Sequence, residues 1–304
     1  MQTISIIIVN WNTRETTLNC LDSIYRMNQG SPPVEIILVD NASEDNSVAA
    51  IRARFPEVCI IQNSENAGYA RANNQGIRQA QGQILLLLNS DTLLKDEATL
   101  NKIIEFFEQH PQVGILGAKL VYSNGRLQAA GRNFISLTEL VKTQLLFSSA
   151  PVFNRLKARK RLSQPYYECD YVDGACLAIR RAVVEEIGLL NEEFFMYGED
   201  MEWCARARDA GWKVAVLPSL EVVHLHAESA KKNYRKILVL NTRNNCQIMR
   251  RYYGKPQAVV AFYIFLIGMG LRIFVSLFRS RQQVGEYFDG LITCFRKRKE
   301  ILSD

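Results

Sequence analysis

Four apolar runs in this chain each end in a short cluster of Asn, Asp or Ser. ISIIIV leads into Asn10-Trp11-Asn12, VEIILV into Asp40-Asn41-Ala42-Ser43, VCIIQ toward Asn66-Ala67-Gly68-Tyr69, and ILLLL into Asn89-Ser90-Asp91. Taken singly, each cluster reads as a turn or a helix cap, because these residue types favour both. Taken together, they set polar groups at the carboxyl ends of consecutive strands, the edge at which open α/β sheets bind ligands. Asp91 suits a divalent cation carrying a diphosphate, since Mg²⁺ or Mn²⁺ takes one or two carboxylates and completes its shell with phosphate oxygens and water. Asp40, after the second strand, suits a ribose or a base. No GxGxxG follows the first strand and no GxxxxGK[ST] occurs, so neither the dinucleotide fingerprint nor the P-loop is present.

A second constellation is FFMYGEDMEWCARARDAGW, residues 194–212. Glu199 and Asp200 stand where Gly198 gives way to a helical pattern. Acidic residues there either compensate the helix dipole or supply a general base, held on a rigid element and aimed at an acceptor hydroxyl. Glu202 and Arg206, four apart, read as a helix-face ion pair.

The elements that must position these groups follow from periodicity. Strands are expected at 4–9, 34–39, 58–62 and 84–88, and helices at 14–27, 46–55, 69–80 and 97–109, the last ending before Pro111. Strand and helix in alternation argue for a mostly parallel sheet flanked by helices. With 304 residues, 48% apolar and 22% charged, the chain has a globular composition with room for a large core. Seven cysteines without a CxxC pair, and no histidine pair at zinc spacing, read as reduced core thiols of a cytosolic protein. The start, MQTISIIIVNWN, lacks a basic region and is too short in its apolar run for a signal peptide, so it reads as a first strand. Residues 145–167 mix proline, serine and a basic cluster, as a mobile flap or an ordinary surface connection would.

Beyond residue 230 the character changes. A helical stretch at 230–252 precedes AVVAFYIFLIGMGLRIFVSLF at 258–278, and residues 243–299 hold eleven Lys or Arg against Glu286 and Asp289. As a helix, the apolar segment is roughly 31 Å long, enough for a ~30 Å hydrocarbon core. Arg272, however, would cost about 2.5–3.5 kcal/mol at mid-bilayer, and cations flank both ends where a span asks for asymmetry. The segment is expected to lie in a membrane interface, with a span or a buried core helix as the competing arrangements. The basic charge alone also fits nucleic acid, but no RNP, zinc or helix-turn-helix signature accompanies it, and no nucleic-acid partner is expected.

Read as a set, VNWN at 9–12, VDNAS at 39–43, NAGYARANNQGI at 66–77, LLNSDT at 87–92, DGACLAIRR at 173–181 and the 194–212 segment resemble glycosyltransferase family 2, in its bacterial rhamnosyltransferase-like branch. The resemblance spans roughly residues 3–230, in order. It implies a GT-A, Rossmann-like α/β domain over 1–230, with 231–304 as a helical, partly apolar, membrane-associating extension. It implies inverting transfer of a sugar, rhamnose or another hexose, from a dTDP- or UDP-linked donor to a glycan or lipid-linked acceptor, on the cytoplasmic inner face of the cell membrane. By the same resemblance Asp40 reads the base with Asn10 or Asn12 close by, and Asn41, Asn66 and Gly68 also belong to the donor side. Asp200 is the base with Glu199 beside it, Asp173 and Gly174 lie on the acceptor side, and His224 joins Asp91 at the Mg²⁺ or Mn²⁺. The family's D-x-D motif has Asn89 in its first place here, which leaves Asp91 as its carboxylate. The alternative is a non-catalytic nucleotide-sugar or lipid-glycan binding protein, which would bind nucleotide without turnover.

Overall fold

The computed structural model describes residues 3–27, 34–145, 160–225, 234–277 and 281–303. They form two compact units, residues 1–132 with 162–226 and residues 133–161 with 227–304.

The first unit is built on one mixed sheet. Strands β1 (Ile4–Asn10), β2 (Val34–Asp40), β3 (Cys59–Gln62) and β4 (Ile84–Asn89) pair in parallel in the order β3-β2-β1-β4. Helices α1 (Arg14–Met27), α2 (Ser47–Arg54) and α3 (Tyr69–Gln79) connect them. The sheet continues through β9 (Cys176–Arg180), antiparallel to β4, then β6 (Val113–Val121), β10 (Lys213–His224) and β5 (Thr92–Leu94). Two short strands, β7 (Leu127–Ala129) and β8 (Tyr167–Glu168), pair with β6 and β10. The sheet is therefore parallel in the half that sequence alternation reveals and mixed in the other half, where β9 runs against both neighbours.

Both faces of the sheet are covered, as the continuous apolar strands require. Period-2 alternation divides β1 and β4 between two cores. Ile4, Ile6, Ile8, Leu86 and Leu88 face one core, with Leu18, Leu21 and Ile24 of α1 and Ile103 and Phe107 of α4 (Thr99–Gln109). Ile7, Leu85 and Leu87 face the other, with Ala72 and Ile77 of α3, Val183 of α6 (Arg181–Ile187) and Trp203 and Ala207 of α7 (Glu199–Asp209). At Gly76 a β-carbon would come within 2.5 Å of Ile7 Cγ2, so glycine lets α3 settle onto β1. Leu86, fully buried, anchors the strand that ends in Asn89, and Leu86→Ala should cost about 2–5 kcal/mol.

The second unit is helical: α5 (Leu137–Leu140) running into a π turn (Val141–Leu145), then α8 (Tyr234–Tyr253), α9 (Lys255–Ser276), α10 (Arg281–Arg296) and α11 (Arg298–Leu302). Cys246, Phe262, Met269, Cys294 and Ile301 form its core. The expected cut at residue 230 assigns 133–161 to the first domain, whereas its described stretch 133–145 belongs with the C-terminal helices. Tyr253 Oη donates to Ile135 O at 3.0 Å, Phe134 packs edge-on to Tyr252, and Arg272 donates to the Thr143 and Gln144 carbonyls. These contacts link positions more than a hundred residues apart, which a local reading of composition does not see. Among the cysteines, all present as thiols, Cys59 is exposed and Cys169 half-buried rather than core. Of the 145–167 connection, residues 146–159 lie outside the described residues, as does His226.

Candidate active site

The ends of β1 and β2 meet in register at Asn10 and Asp40. Asn10 is fully buried. Its Nδ2 donates to Asp40 Oδ1 at 2.6 Å and to Ser43 Oγ at 3.0 Å, while its Oδ1 accepts from the Thr13 and Thr17 hydroxyls, each at 2.8 Å. All four hydrogen-bonding positions of the amide are used within the protein, so Asn10 contributes to the crevice by fixing Asp40. The second oxygen of Asp40 accepts from the Ser43 N–H at 3.0 Å. Asn12 is exposed, in the left-handed region (φ 52°), and accepts from the Glu44 N–H at 2.7 Å. Asn41 donates to Gly68 O at 3.2 Å and accepts from Asn63 at 2.8 Å, and Asn66 accepts from the Gly68 N–H at 3.0 Å. Gly68 has φ +85°, and a β-carbon there would lie 2.6 Å from Phe195 O. Only glycine meets both conditions, and the Tyr69 N–H then donates to Phe195 O at 2.7 Å. This junction seats the start of α3 against the loop that leads into α7.

At the end of β4, a turn carries Asp91 toward His224, the last residue of β10 and the register partner of Thr92. Asp91 Oδ1 lies 3.2 Å from His224 Nε2, and Asn89 Nδ2 lies 3.4 Å from the same nitrogen. His224 Nδ1 is 3.0 Å from Gln128 Oε1 on β7. With the ring proton on Nδ1 and donated to Gln128, Nε2 would turn its lone pair to the Asp91 carboxylate. Two lone-pair atoms so placed fit a shared cation, because neighbouring ligands of an octahedral ion with bonds of ~2.1 Å stand about 3 Å apart. Gln128 then takes the place of the outer-shell acceptor that orients a metal-binding imidazole. Among the described residues no group of three His, Cys, Asp or Glu stands ready as a closed metal site.

The third part of the site is the approach to β9. The Asn89 N–H donates to Ala175 O at 3.0 Å, which sets the 173–175 turn beside the end of β4. Asp173 pairs with Arg132, whose Nε and Nη2 both lie 3.0 Å from Oδ2. The Gly174 N–H donates to Asp200 Oδ2 at 3.0 Å, and Tyr69 Oη donates to Gly174 O at 2.8 Å. Residues Tyr197 (φ 71°) and Gly198 (φ 95°) are both left-handed, and they turn the chain so that Glu199 and Asp200 open α7.

The electrostatics of this pair decide between the two readings of acidic residues at a helix start. A helix N-terminus stabilises a carboxylate by about 0.3–1 kcal/mol, at most ~2. Asp200 is instead raised to about 6, first by desolvation and then by the charge of Asp173, against the pull of its two N–H donors and Arg132. That upward shift is worth about 3 kcal/mol, so burial and like charge outweigh the dipole. Glu199, 4% exposed, is held well above the ordinary carboxylate range by burial and by Asp200, and its Oε2 has no hydrogen-bond partner among the described residues. Both adjacent carboxyls are thus held above the ordinary carboxylate range by burial and by like charge. Burial first, then the charges of Glu199, Asp200 and Asp91, push the Tyr69 phenol up. Glu202, fully buried, is a structural partner: both its oxygens accept from Arg206 Nε at 3.0 Å, and Arg206 also donates to the Ile187 and Leu189 carbonyls.

The structure therefore gathers Asp40, Asn89, Asp91, Asp173, Gly174, Asp200 and His224 at one edge of the sheet, with Asn10, Asn41, Asn66 and Gly68 as the frame behind them. Gln128 and Arg132 escape a sequence reading. Both sit in a short, half-exposed stretch around β7 that carries no strong period; the pairing of β7 with β6 places Gln128, and an isolated antiparallel bridge to Tyr171 places Arg132.

Residues 5–188 match the family described as glycosyl transferase family 2. An N-acetylglucosaminyl-diphospho-decaprenol L-rhamnosyltransferase of Mycobacterium tuberculosis is 26% identical over 215 residues, 66% of this chain and 69% of that protein. A low-salt glycan biosynthesis hexosyltransferase of Haloferax volcanii is 29% identical over 226 residues, 73% of this chain and 66% of that protein. Among solved structures, a mannosyltransferase from Pyrobaculum calidifontis in complex with GDP-Man and Mn²⁺ aligns with a TM-score of 0.60 at 16% identity, covering 99% of this chain and 84% of that one. TarS 1–349 of S. aureus in complex with UDP-GlcNAc aligns with a TM-score of 0.55 at 15% identity, covering 97% and 92%. At these identities the structural likeness establishes the fold alone, a GT-A-type mixed α/β unit with a helical C-terminal extension.

Proposed function

The chain belongs to glycosyl transferase family 2, and from that premise we propose that it transfers a hexose, with rhamnose the first candidate, from a nucleotide-diphosphate donor. The donor is dTDP- or UDP-linked, and the acceptor is a hydroxyl of a glycan or lipid-linked glycan in cell-surface polysaccharide assembly. The rhamnosyltransferase relative, whose name specifies a diphospho-decaprenol carrier, supports the lipid-linked class of acceptor. The neighbour solved with GDP-Man and Mn²⁺ supports a divalent cation. The same reading places the protein in the cytoplasm, against the inner face of the cell membrane.

One observation carries the catalytic reading: Asp200, pinned by the Gly174 N–H and titrating at about 6, stands at the same strand ends as the Asp91–His224 pair. Asp200, ionised above that pH, takes the acceptor proton as the acceptor oxygen attacks the anomeric carbon from the face opposite the diphosphate. The bond to the diphosphate breaks in the same displacement, the diphosphate departs with the electron pair, and the anomeric configuration inverts. Glu199, neutral beside it, leaves Asp200 as the site's proton acceptor. Asp91 and His224 would hold Mg²⁺ or Mn²⁺, which when bound neutralises the charge growing on the leaving diphosphate. Asn89 in the first place of the metal motif contributes an amide that steadies His224. Asp40, held by Asn10 and Ser43, meets the base.

The test is nucleoside diphosphate release from dTDP-rhamnose, UDP-glucose, UDP-galactose and UDP-N-acetylglucosamine, with Mg²⁺ or Mn²⁺, with and without lipid-linked acceptors. Acceptor-dependent release from one donor, lost in both Asp91→Ala and Asp200→Asn, is the expected result. Nucleotide binding without release, with acceptor extracts present, would replace this reading with that of a non-catalytic nucleotide-sugar binding protein.

A further inference from the structure

Helix α9 is apolar from Ala258 to Leu271, and among the described residues the helical unit packs against one side of it. Phe262, Phe265 and Met269 are buried. On the other side Val260, Tyr263, Ile267, Leu271 and Phe274, spaced three and four apart, are all exposed, from 37% at Leu271 to 62% at Phe274. That spacing puts them on a single stripe about 80° wide and ~21 Å long. No charge interrupts it. An apolar strip of this size is a contact surface rather than ordinary water-facing protein.

The unit's remaining features specify what covers the stripe. Arg272, on the same helix, has its Nη1 on Gln144 Oε1 at 2.9 Å and Gly268 O at 3.1 Å, and its Nη2 on Thr143 O at 3.1 Å. A bilayer span would carry this guanidinium and its carbonyl partners into hydrocarbon. Four successive cations, Arg296, Lys297, Arg298 and Lys299, lie exposed where α10 passes into α11, answered locally by Glu300 at 3.4 Å from Lys297. A second copy of the chain would bring the same cations, with Glu286, Asp289 and Glu300 as the acidic residues of those helices. Headgroups of anionic lipids supply counter-charge, and Tyr263 within the stripe has the apolar body and polar tip suited to their depth.

We infer that α9 lies in the plane of an anionic phospholipid surface, with the Val260–Phe274 stripe among the upper acyl chains and the 296–299 cations on the headgroups. This deepens the proposed placement at a membrane by fixing which face enters, how far, and which lipid charge it needs.

The experiment uses the full chain and sedimentation with phosphatidylcholine vesicles, with and without phosphatidylglycerol. Wild type should partition onto the phosphatidylglycerol vesicles. Ile267→Glu with Phe274→Glu should lower that partition at least about tenfold with the melting temperature kept, since both residues are exposed. Lys297→Gln, Arg298→Gln and Lys299→Gln together should remove the preference for anionic vesicles, again by about tenfold or more. Tryptophan placed by Val260→Trp, Ile267→Trp or Phe274→Trp should be quenched by brominated lipids at one shared depth. Failure of wild type to bind either vesicle, depths graded from 260 to 274 as in a span, or a dimer that the double glutamate variant splits without changing vesicle binding would each overturn the inference. Nucleoside diphosphate release is read on the same proteins. Vesicle binding without release would sink the transferase reading and leave this one standing.

Discussion

The two sides of the crevice are built on opposite terms. At the ends of β1 and β2, buried polar groups are matched to the last hydrogen bond, with Asn10 satisfying Asp40, Ser43, Thr13 and Thr17 at once. At the start of α7, Glu199 is buried with an oxygen unpartnered among the described residues, and the charge of Asp173 bears on Asp200. A satisfied network fixes shape and binds; a desolvated carboxyl among like charges is costly to the fold and is ready to accept a proton. In the proposed reading the first side positions and the second carries the chemistry.

The largest test of that division is Asp200→Asn. Transfer should fall by ~10²–10⁴ while donor affinity, measured by calorimetry, stays. The fold should gain stability. Because the folded pKa of about 6 exceeds the ordinary 3.8, the folded chain keeps a proton that the unfolded chain has lost, so stability falls as pH rises through this window. The variant should therefore be more stable than wild type by about 1–3 kcal/mol at pH 7.5, with the gain gone below pH 4. Urea melts at the two pH values check it.

Asp91→Ala should reduce turnover by at least ~10² and abolish its response to Mg²⁺ or Mn²⁺. Gln128→Leu should weaken metal affinity by about 10–100-fold with far less effect at saturating metal, because it releases the ring of His224 and not a ligand. Metal titrations of activity separate the two. Asn10→Ala tests the opposite side: it strands Asp40 and two threonine hydroxyls and should cost about 1–3 kcal/mol of stability, where Asp200→Asn gains. The smallest effect belongs to Glu199→Gln. A neutral isostere of a neutral acid should leave transfer near wild type, and an Asp200-like loss would show that Glu199 works as a carboxylate.

Much of this was legible in the residues. The four strands with polar ends appear within a residue or two of where the apolar runs put them, with Asp40 and Asn89 as the last residues of β2 and β4. The parallel half of the sheet is legible because each strand is followed by its own helix. β9 was not readable as the neighbour of β4, since an antiparallel insertion leaves no local sign, and it is what brings Gly174 to Asp200. Arg132 and Gln128 stay invisible for the same reason, as does the return of 133–145 to the C-terminal helices. The exposed stripe of α9 is hidden by uniform composition: the apolar run 258–271 gives no periodic clue to which side its neighbours cover.

The most direct test of the central claim is the pH dependence of kcat/KM for the identified donor between pH 5 and 8, in wild type and Asp200→Asn. A rise through an inflection near about 6, absent from the variant's residual activity, is the result expected of Asp200 as the base. A flat wild-type profile, or an inflection that survives in the variant, would contradict it.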